Sequence, residues 1–192
     1  NVARWAVAPV GLFDVGMVAL PAWLALGPLR LGYPLAVAAG LCAGIGHAWS
    51  AFLGFTGGRA LSSILGTLAV VFPQAALIQL LLMGLGLLLR IEQLTTLGLL
   101  ALPLWSVAWG RPAAVTWGCC AMIALTAVKR LEANRAPLPT GPERLRVVCF
   151  RLWLDRDVPS HQVWVTRRPA ADDPGGEGDS PDRTKVTRDI RR

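Results

Sequence analysis

Long apolar stretches separated by short polar turns occupy the first two thirds of the chain. A helix needs about 20 predominantly apolar residues to cross a hydrocarbon core of about 30 Å, and most of these stretches approach that length. The pattern predicts an all-α, polytopic membrane helical bundle of five or six membrane segments, packed antiparallel because the connecting turns are short. The five stretches are residues 5–29, 33–55, 61–89, 94–109 and 113–128.

The second and third stretches contain residues that shape helices. Gly40, Gly44 and Gly46 in the second are small enough to allow close helix packing. The third, residues 61–89, would extend about 43 Å as one helix at about 1.5 Å per residue. Pro73 lies near its middle, and a proline inside a helix removes one hydrogen bond and clashes with the preceding turn. We therefore expect a kink at Pro73 or a break into two shorter helices.

The pattern changes after Lys129–Arg130, where polar and charged residues become frequent. Thr140 to Glu143 has the sequence of a helix start, with Thr140 as the N-cap, a proline in the first turn and a glutamate three residues after the cap. Apolar side chains then recur at helical spacing, which predicts an amphipathic helix on the cytoplasmic membrane surface or beneath the bundle. They are Leu145, Val148, Cys149 and Leu152.

The remaining C-terminal residues contain little that a folded core would bury. Residues 161–165 fit a short strand, whereas residues 169–192 are rich in Pro, Gly, Asp and Arg and are expected to be disordered. The sequence thus divides into a membrane bundle (1–130), a cytoplasmic or interfacial region (131–168) and a disordered tail (169–192). The chain begins at Asn1 without a methionine, so we expect an upstream segment.

Composition and charge agree with this division. Hydrophobic residues make up 54% of the 192 residues, above the roughly 45–50% typical of soluble domains. Of the 31 charged residues (19 Lys and Arg, 12 Asp and Glu), 24 lie from Lys129 onward. Basic residues after the last apolar stretch indicate a cytoplasmic C-terminus in the plasma membrane, surrounded by lipids. The net charge of +7 is explained in this way and does not indicate nucleic-acid binding.

The most distinctive polar pattern is the segment Gly46–Arg59, at the end of the second apolar stretch. His47 lies in the second apolar stretch, and Gly57, Gly58 and Arg59 form a turn near the expected membrane boundary. Polar residues inside a membrane are costly and often mark a site. Glycines let backbone N–H groups point at an anion, and the arginine supplies positive charge. The segment therefore predicts an anion-binding site.

Each polar candidate also has a structural interpretation that the sequence leaves open. Asp14, inside the first apolar stretch, is either a site residue or the ion-pair partner of an arginine. His47 is a general base, a hydrogen-bond donor or a packed histidine, and Arg90 and Glu92 also fit an ion pair at a helix end. No catalytic triad, zinc-protease, paired-cysteine or phosphate-loop motif is present. Any catalysis is therefore expected to use anion binding and positioning, without a metal or cofactor.

The segment that starts at Gly46 resembles the second motif of the bacterial acyl-phosphate-dependent glycerol-3-phosphate acyltransferases, which are small multi-helix membrane enzymes. That motif has the approximate form Gly-His-x-x-Pro-x-Phe-x-x-Phe-Lys-Gly-Gly-Lys-Gly-Val-Ala-Thr. Arg59 keeps the charge of its second lysine, and Ser63 keeps the hydroxyl of its threonine. The matching residues are Gly46, His47, Phe52, Phe55, Gly57 and Gly58. The departures are Ser50, Thr56 and Ala60.

Shorter fragments resemble other motifs of the same family. Asn1 resembles part of the end of the first motif. Asp14 lies in a Leu-Phe-Asp fragment similar to the following segment, in which Met17 stands at the position of a lysine. Arg90 fits the arginine that opens the third motif. The resemblance covers roughly residues 1–135.

The resemblance implies acyl transfer from acyl phosphate to the 1-hydroxyl of glycerol-3-phosphate, giving lysophosphatidic acid and phosphate in phospholipid biosynthesis. It implies that His47 and Asp14 serve the reaction and that a phosphate lies against the glycine–arginine turn. The acyl chain requires an apolar groove between helices. The residues implied to bind substrate or phosphate are Asn1, Gly46, Gly57, Gly58, Arg59, Ser63 and Arg90.

The main alternative is a protein that keeps the helical bundle without catalysis, as a lipid-binding or scaffold module. Met17 and Thr56 each stand where the family has a cation, and a hydrogen bond to a charged group contributes about 1.5–3 kcal/mol. A transporter or channel is a third alternative, which the absence of a visible internal repeat disfavours. Turnover by the purified protein distinguishes the enzyme from the other two.

Overall fold

Helices follow the apolar stretches of the sequence in order, and no β-strand forms among the described residues. The structure is a computed structural model that describes residues 7–55, 57–91, 93–133, 138 and 140–156. These residues lie in the first of two units into which the chain divides, Asn1–Pro159. The seven α-helices that they form are α1 (Val7–Leu26), α2 (Gly32–Ala48), α3 (Leu61–Val71), α4 (Pro73–Leu89), α5 (Gln93–Ala108), α6 (Ala113–Ala133) and α7 (Glu143–Leu154). The predicted all-α class is confirmed.

Glycines bring α2 and α3 together in antiparallel orientation. A Cβ atom added to Gly40 would lie 2.5 Å from the side chain of Thr67, and one added to Gly44 would lie 3.0 Å from Cβ of Ser63. The later residue of α2, Gly44, contacts the earlier residue of α3, Ser63, so the two helices point in opposite directions. Close packing is confirmed at these two glycines. It is wrong for Gly46, whose Cβ position has no neighbouring atom within 4 Å.

The later helices are also antiparallel to their neighbours in the chain. The rings of Phe72, before α4, and Trp109, after α5, meet edge to face with their centroids 5.4 Å apart. Farther along α4, Nε2 of Gln79 donates a hydrogen bond to the carbonyl oxygen of Thr95 at 3.0 Å. Helices α5 and α6 pair in the same way through the hydrogen bonds Ser106–Thr116 and Arg130–Thr96.

The break predicted at Pro73 is confirmed, and the chain reverses direction there. α3 ends at Val71 and α4 begins at Pro73, where proline is tolerated because the first helical residue does not need its N–H. Arg111, from the turn between α5 and α6, donates a hydrogen bond to the carbonyl oxygen of Val71 at 2.5 Å. Its guanidinium carbon also lies 5.0 Å from the centre of the Phe72 ring. The long third stretch is thus two antiparallel helices, and one arginine holds the reversal between them.

Large apolar side chains cover the outside of the bundle as well as its core. Fully buried examples are Ile64, Leu68, Phe72 and Leu102. Side chains more than half exposed include Leu12, Leu81, Leu87, Leu104 and Trp117. Two helical segments, Pro9–Leu26 and Ala113–Glu132, are long and apolar enough to cross a membrane, and three shorter helices are also apolar. A helix that is apolar on all sides is typical of a membrane protein or of a large core.

α7 differs from the other helices in composition and in how it begins. It starts at Glu143, with Pro142 at the N-cap position and no side-chain cap, so the predicted cap at Thr140 is wrong. Gly141 has a φ of +80°, outside the right-handed helical region, so the helix cannot begin before it. The helix itself is confirmed. The strand predicted at 161–165 and the tail 169–192 lie outside the described residues.

Candidate active site

The segment between α2 and α3 is a loop, although the apolar stretch continues to residue 55. α2 ends at Ala48, and a 3₁₀ turn follows at Ala51–Leu53. Gly54 and Phe55 then adopt left-handed conformations, with φ of 60° and 59°. Two left-handed residues are incompatible with a right-handed helix, so the prediction of a helical stretch to residue 55 is wrong. The loop leaves the Phe52 side chain fully exposed.

His47 and Asp14 face each other where α1 and α2 meet. Nε2 of His47 lies 3.9 Å from Oδ2 of Asp14, and the two side chains are 27% and 29% exposed. A carboxylate beside an imidazole can orient the ring. The sequence left Asp14 open as a site residue or as the ion-pair partner of an arginine, and its neighbour in the structure is His47.

The backbone of Gly57 and Gly58 lies directly against the last turn of α2. A Cβ atom on Gly57 would lie 2.7 Å from the carbonyl oxygen of Ala48, and one on Gly58 would lie 2.9 Å from Cδ2 of His47. Neither glycine has a positive φ. A side chain on Gly57 would meet backbone atoms of α2, and one on Gly58 would meet the imidazole of His47, so either would force a shift. The imidazole of His47 therefore has the Asp14 carboxylate and the Gly58 backbone as neighbours.

Arg59 is paired with Asp155, the residue that directly follows α7. Its guanidinium forms an ion pair with the Asp155 carboxylate, and Nη1 donates a hydrogen bond to the Asp155 carbonyl oxygen at 3.0 Å. The Arg59 and Asp155 side chains are 35% and 22% exposed. The cation expected to bind phosphate thus holds a carboxylate in this structure. Asp155 itself has a left-handed backbone, with a φ of 56°.

The other sequence candidates are not gathered around His47. Ser63 is 2% exposed, and its Oγ has no hydrogen-bond partner within the described part of the chain. Gly46 is exposed. Arg90 is exposed where α4 ends, and among the described residues no hydrogen bond or ion pair involves its side chain. Asn1 lies outside the described residues. Their roles in substrate binding stay predictions.

Two buried cations from α6 reach the same end of the bundle and were not among the sequence candidates. Nζ of Lys129 lies 4.6 Å from the centre of the Trp49 ring and 3.4 Å from Oε2 of Glu132. Nη1 of Arg130 donates a hydrogen bond to Oγ1 of Thr96 at 3.0 Å. The available signal was a pair of cations at the end of an apolar stretch. Cations that anchor a helix at the cytoplasmic membrane surface have the same pattern. The sequence alone therefore does not distinguish a site cation from an anchoring cation.

Together these residues bring three cations and three carboxylates to the end of the bundle that holds the histidine–carboxylate pair. The cations are Arg59, Lys129 and Arg130, and the nearby carboxylates are Asp14, Glu132 and Asp155. Fixed cations and backbone N–H groups in a water-poor site stabilise anions and developing negative charge. A neighbouring imidazole can accept a proton. The arrangement is chemically suited to a reaction between phosphate-bearing substrates.

Comparisons with known proteins give one consistent family. A sequence model described as glycerol-3-phosphate acyltransferase matches residues 1–138. Glycerol-3-phosphate acyltransferase 4 of one Dehalococcoides mccartyi strain is 33% identical over 182 residues, covering 89% of this chain and 78% of the relative. Glycerol-3-phosphate acyltransferase 5 of a second strain is 30% identical over 181 residues, covering 88% and 77%.

A shorter match comes from a glycerol-3-phosphate acyltransferase of a Ruegeria species, which is 35% identical over 114 residues, 58% of this chain and 55% of the relative. No solved structure gives a significant match. The family match includes Asp14, His47, Gly57, Gly58 and Arg59 and spans most of the chain. The chain therefore belongs to the glycerol-3-phosphate acyltransferase family.

Proposed function

We propose that this glycerol-3-phosphate acyltransferase takes its acyl group from acyl phosphate and transfers it to the 1-hydroxyl of glycerol-3-phosphate. The products are lysophosphatidic acid and inorganic phosphate. One observation carries the proposal: the His47 ring lies against both the Asp14 carboxylate and the Gly58 backbone. Arg59 follows immediately in the chain. The proposed proton acceptor, His47, and the proposed anion-binding turn, Gly57–Arg59, are thus in direct contact.

The reaction requires an activated donor rather than a nucleophilic side chain. The hydroxyl oxygen of glycerol-3-phosphate forms a bond to the acyl carbon, and the bond from that carbon to the phosphate oxygen breaks with its electron pair. His47 hydrogen-bonds the attacking hydroxyl and takes its proton, while Asp14 stabilises the charged imidazole. Such general-base assistance contributes about 10²–10⁴-fold in rate.

Binding of two phosphate groups is the second requirement. We assign the backbone N–H groups of Gly57 and Gly58 and the guanidinium of Arg59 to one phosphate, because anions favour such backbone turns and bidentate cations. For a phosphate to bind Arg59 directly, the Asp155 carboxylate must share or leave that guanidinium. Supporting contributions are assigned to Asn1, Gly46, Ser63 and Arg90.

We place the site at the cytoplasmic end of a multi-pass bundle in the plasma membrane, surrounded by lipids. The exposed apolar side chains and the two segments long enough to span a bilayer support this placement. The concentration of charge after Lys129 supports a cytoplasmic C-terminus. In this arrangement residues 1–130 form the membrane bundle, 131–168 a cytoplasmic or interfacial region, and 169–192 a tail.

The proposal is tested with the purified full-length protein in detergent micelles or liposomes. Palmitoyl phosphate and glycerol-3-phosphate are supplied, and lysophosphatidic acid is measured by mass spectrometry together with released phosphate. We expect equal amounts of the two products, no product when glycerol replaces glycerol-3-phosphate, and none with palmitoyl-CoA as donor.

Two outcomes would overturn the proposal in different ways. Product from palmitoyl-CoA alone would make the donor assignment wrong while keeping the acyltransferase. Absence of product with either donor, from protein that unfolds cooperatively on heating, would leave the non-catalytic lipid-binding or scaffold alternative.

A further inference from the structure

An apolar groove of about 490 Å³ lies between α5, α6 and α7. Leu99 and Leu100 of α5 and Ile123 of α6 form its inner wall, and Cys149 and Leu152 line it from α7. The two α7 residues are three apart and so lie on one face of that helix. The groove is therefore completed by the amphipathic C-terminal helix, which begins after the part of the chain that the family model matches.

The threonines in the groove are hydrogen-bonded within the protein. Oγ1 of Thr126 donates to the carbonyl oxygen of Met122 at 3.0 Å. Oγ1 of Thr96 accepts from Arg130 and lies 3.3 Å from the carbonyl oxygen of Trp153, to which it donates. Hydroxyls bonded in this way leave apolar surface toward the groove. A hydrocarbon chain fits that surface better than a polar ligand, which would lose its hydrogen bonds to water.

Positive charge lies at one end of the groove. Arg130 lines the groove, and its guanidinium donates to the carbonyl oxygen of Leu152 at the end of α7. Asp155 follows α7 directly and pairs with Arg59. Two guanidinium groups therefore lie near the end of α7, next to the loop of the candidate active site. An apolar groove with cations at one end is complementary to one alkyl chain with an anionic head group.

The end of α7 that closes the groove is fastened to the bundle. Nη1 of Arg130 donates to the carbonyl oxygen of Leu152 at 2.5 Å, and Nη1 of Arg151 donates to the carbonyl oxygen of Leu131 at 3.0 Å. With the Thr96 contact, these bonds fix the last turn of α7 against α5 and α6. The groove therefore has a defined wall on that side.

We propose that this groove holds the hydrocarbon chain of the acyl phosphate donor, with its phosphate toward Arg59 and Arg130, and that the depth of the groove selects the chain length. The inference rests on the proposed function. Leu100 and Ile123 lie one to two helical turns deeper than Thr96 and Arg130, so they limit how far a chain extends. Cys149 and Leu152 cover the chain from α7.

Two matched substitutions on α5 test the depth of the groove. Leu100 lines it, whereas Leu104 lies one turn farther along the same helix, is 72% exposed and does not line it. Leu100→Trp is expected to lower kcat/KM for palmitoyl phosphate by about tenfold relative to decanoyl phosphate, since small volume changes in an apolar pocket have effects of this size. Leu104→Trp is expected to leave the ratio unchanged. Equal ratios in both variants would overturn the proposal.

A binding measurement provides a readout that does not depend on turnover. In a variant with Cys42 and Cys120 replaced by serine, Cys149 is the exposed cysteine left among the described residues, because Cys119 is buried. We expect palmitoyl phosphate to slow alkylation of Cys149 by a maleimide, and inorganic phosphate to have no effect. Unchanged alkylation would contradict occupancy of the groove. Equal protection by phosphatidylglycerol would assign the groove to a membrane lipid and overturn the proposal.

These measurements separate this inference from the proposed function. Protection of Cys149 by palmitoyl phosphate without any formation of lysophosphatidic acid would support the groove as an acyl phosphate site while the catalytic proposal fails. Normal turnover with unprotected Cys149 and an unchanged chain-length ratio in Leu100→Trp would overturn the groove alone.

Discussion

At the scale of single residues, the site depends on how closely one piece of backbone approaches one imidazole. Gly58 lies against the ring of His47, and Gly57 lies against the carbonyl oxygen of Ala48. These glycines are therefore needed for space and not for an unusual backbone angle. Because Gly57 and Gly58 lie in contact with the end of α2, a shift of their loop also shifts the His47 ring, and a shift of the ring moves the loop.

Gly58→Ala is predicted to lower kcat/KM by about 100-fold, because its Cβ must displace the His47 ring and an error of about 1 Å in a catalytic group has an effect of this order. The change in kcat/KM is measured from initial rates with palmitoyl phosphate and glycerol-3-phosphate. Gly84→Ala is the control, since no atom lies within 4 Å of that Cβ position, and its rate should equal that of the wild type. A Gly58→Ala enzyme with full activity would show that the ring position is unimportant.

Asp155→Asn is predicted to lower the KM for the phosphate-bearing substrate that binds Arg59. The carboxylate and the substrate compete for one guanidinium, and a partly exposed ion pair contributes about 0.2–1 kcal/mol, which corresponds to roughly a 1.4- to 5-fold change. The difference should shrink at high salt because screening weakens the pair. Asp155→Glu keeps the charge and serves as control. A raised KM in Asp155→Asn would instead make Asp155 a residue that positions Arg59.

The sequence predicted His47, Gly57 and Gly58 as neighbours because their spacing in the chain is short and the loop is a recognisable motif. It did not predict Asp155 as the partner of Arg59. The two residues are 96 positions apart, and nothing local in the sequence of α7 indicates which part of the bundle it contacts. Contacts of this kind depend on how the helices pack.

At the scale of elements, the reversal between α3 and α4 is the feature that turns one long apolar stretch into two helices. Pro73 indicates where the helix must stop, because it has no N–H to donate. The new direction depends on Arg111, which lies 40 residues farther along the chain and bonds to the carbonyl oxygen of Val71. The break was therefore predictable from the sequence, whereas the reversal was not.

Arg111→Ala is predicted to destabilise the fold by about 1.5–3 kcal/mol, the contribution of a hydrogen bond from a charged group, with a further loss from its contacts with the Phe72 and Tyr33 rings. The thermal unfolding midpoint in detergent measures this. Arg30→Ala is the matched control, because Arg30 is exposed in the turn between α1 and α2. Equal midpoints for the two variants would show that Arg111 does not hold the reversal.

At the scale of the whole molecule, the apolar exterior is what supports the proposed placement of the bundle in a membrane. Leucines more than half exposed occur on α1, α4 and α5, where a water-soluble protein would have polar side chains. The sequence predicted this from composition and the distribution of charge. Helix lengths were less predictable, since only Pro9–Leu26 and Ala113–Glu132 reach the length of a full crossing among the described residues.

Leu81→Lys is predicted to reduce the amount of protein recovered in the membrane fraction. Leu81 is 62% exposed near the middle of α4, and a lysine at the centre of a membrane helix costs about 2.5–3.5 kcal/mol. Leu145→Lys is the control, because Leu145 is 71% exposed on α7, which is neither a candidate span nor one of the shorter apolar helices. Unchanged or improved recovery of Leu81→Lys would indicate that this face contacts water.

The most direct measurement of the central claim compares the wild-type protein with His47→Ala, using palmitoyl phosphate and glycerol-3-phosphate in the same membrane preparation. Both proteins must show the same thermal unfolding midpoint, so that a difference in rate is not a difference in folding. We predict that the wild type forms lysophosphatidic acid and that the rate of His47→Ala is lower by about 10²-fold or more. Equal rates in the two proteins would contradict the assignment of His47 to the reaction and, with it, the proposed active site.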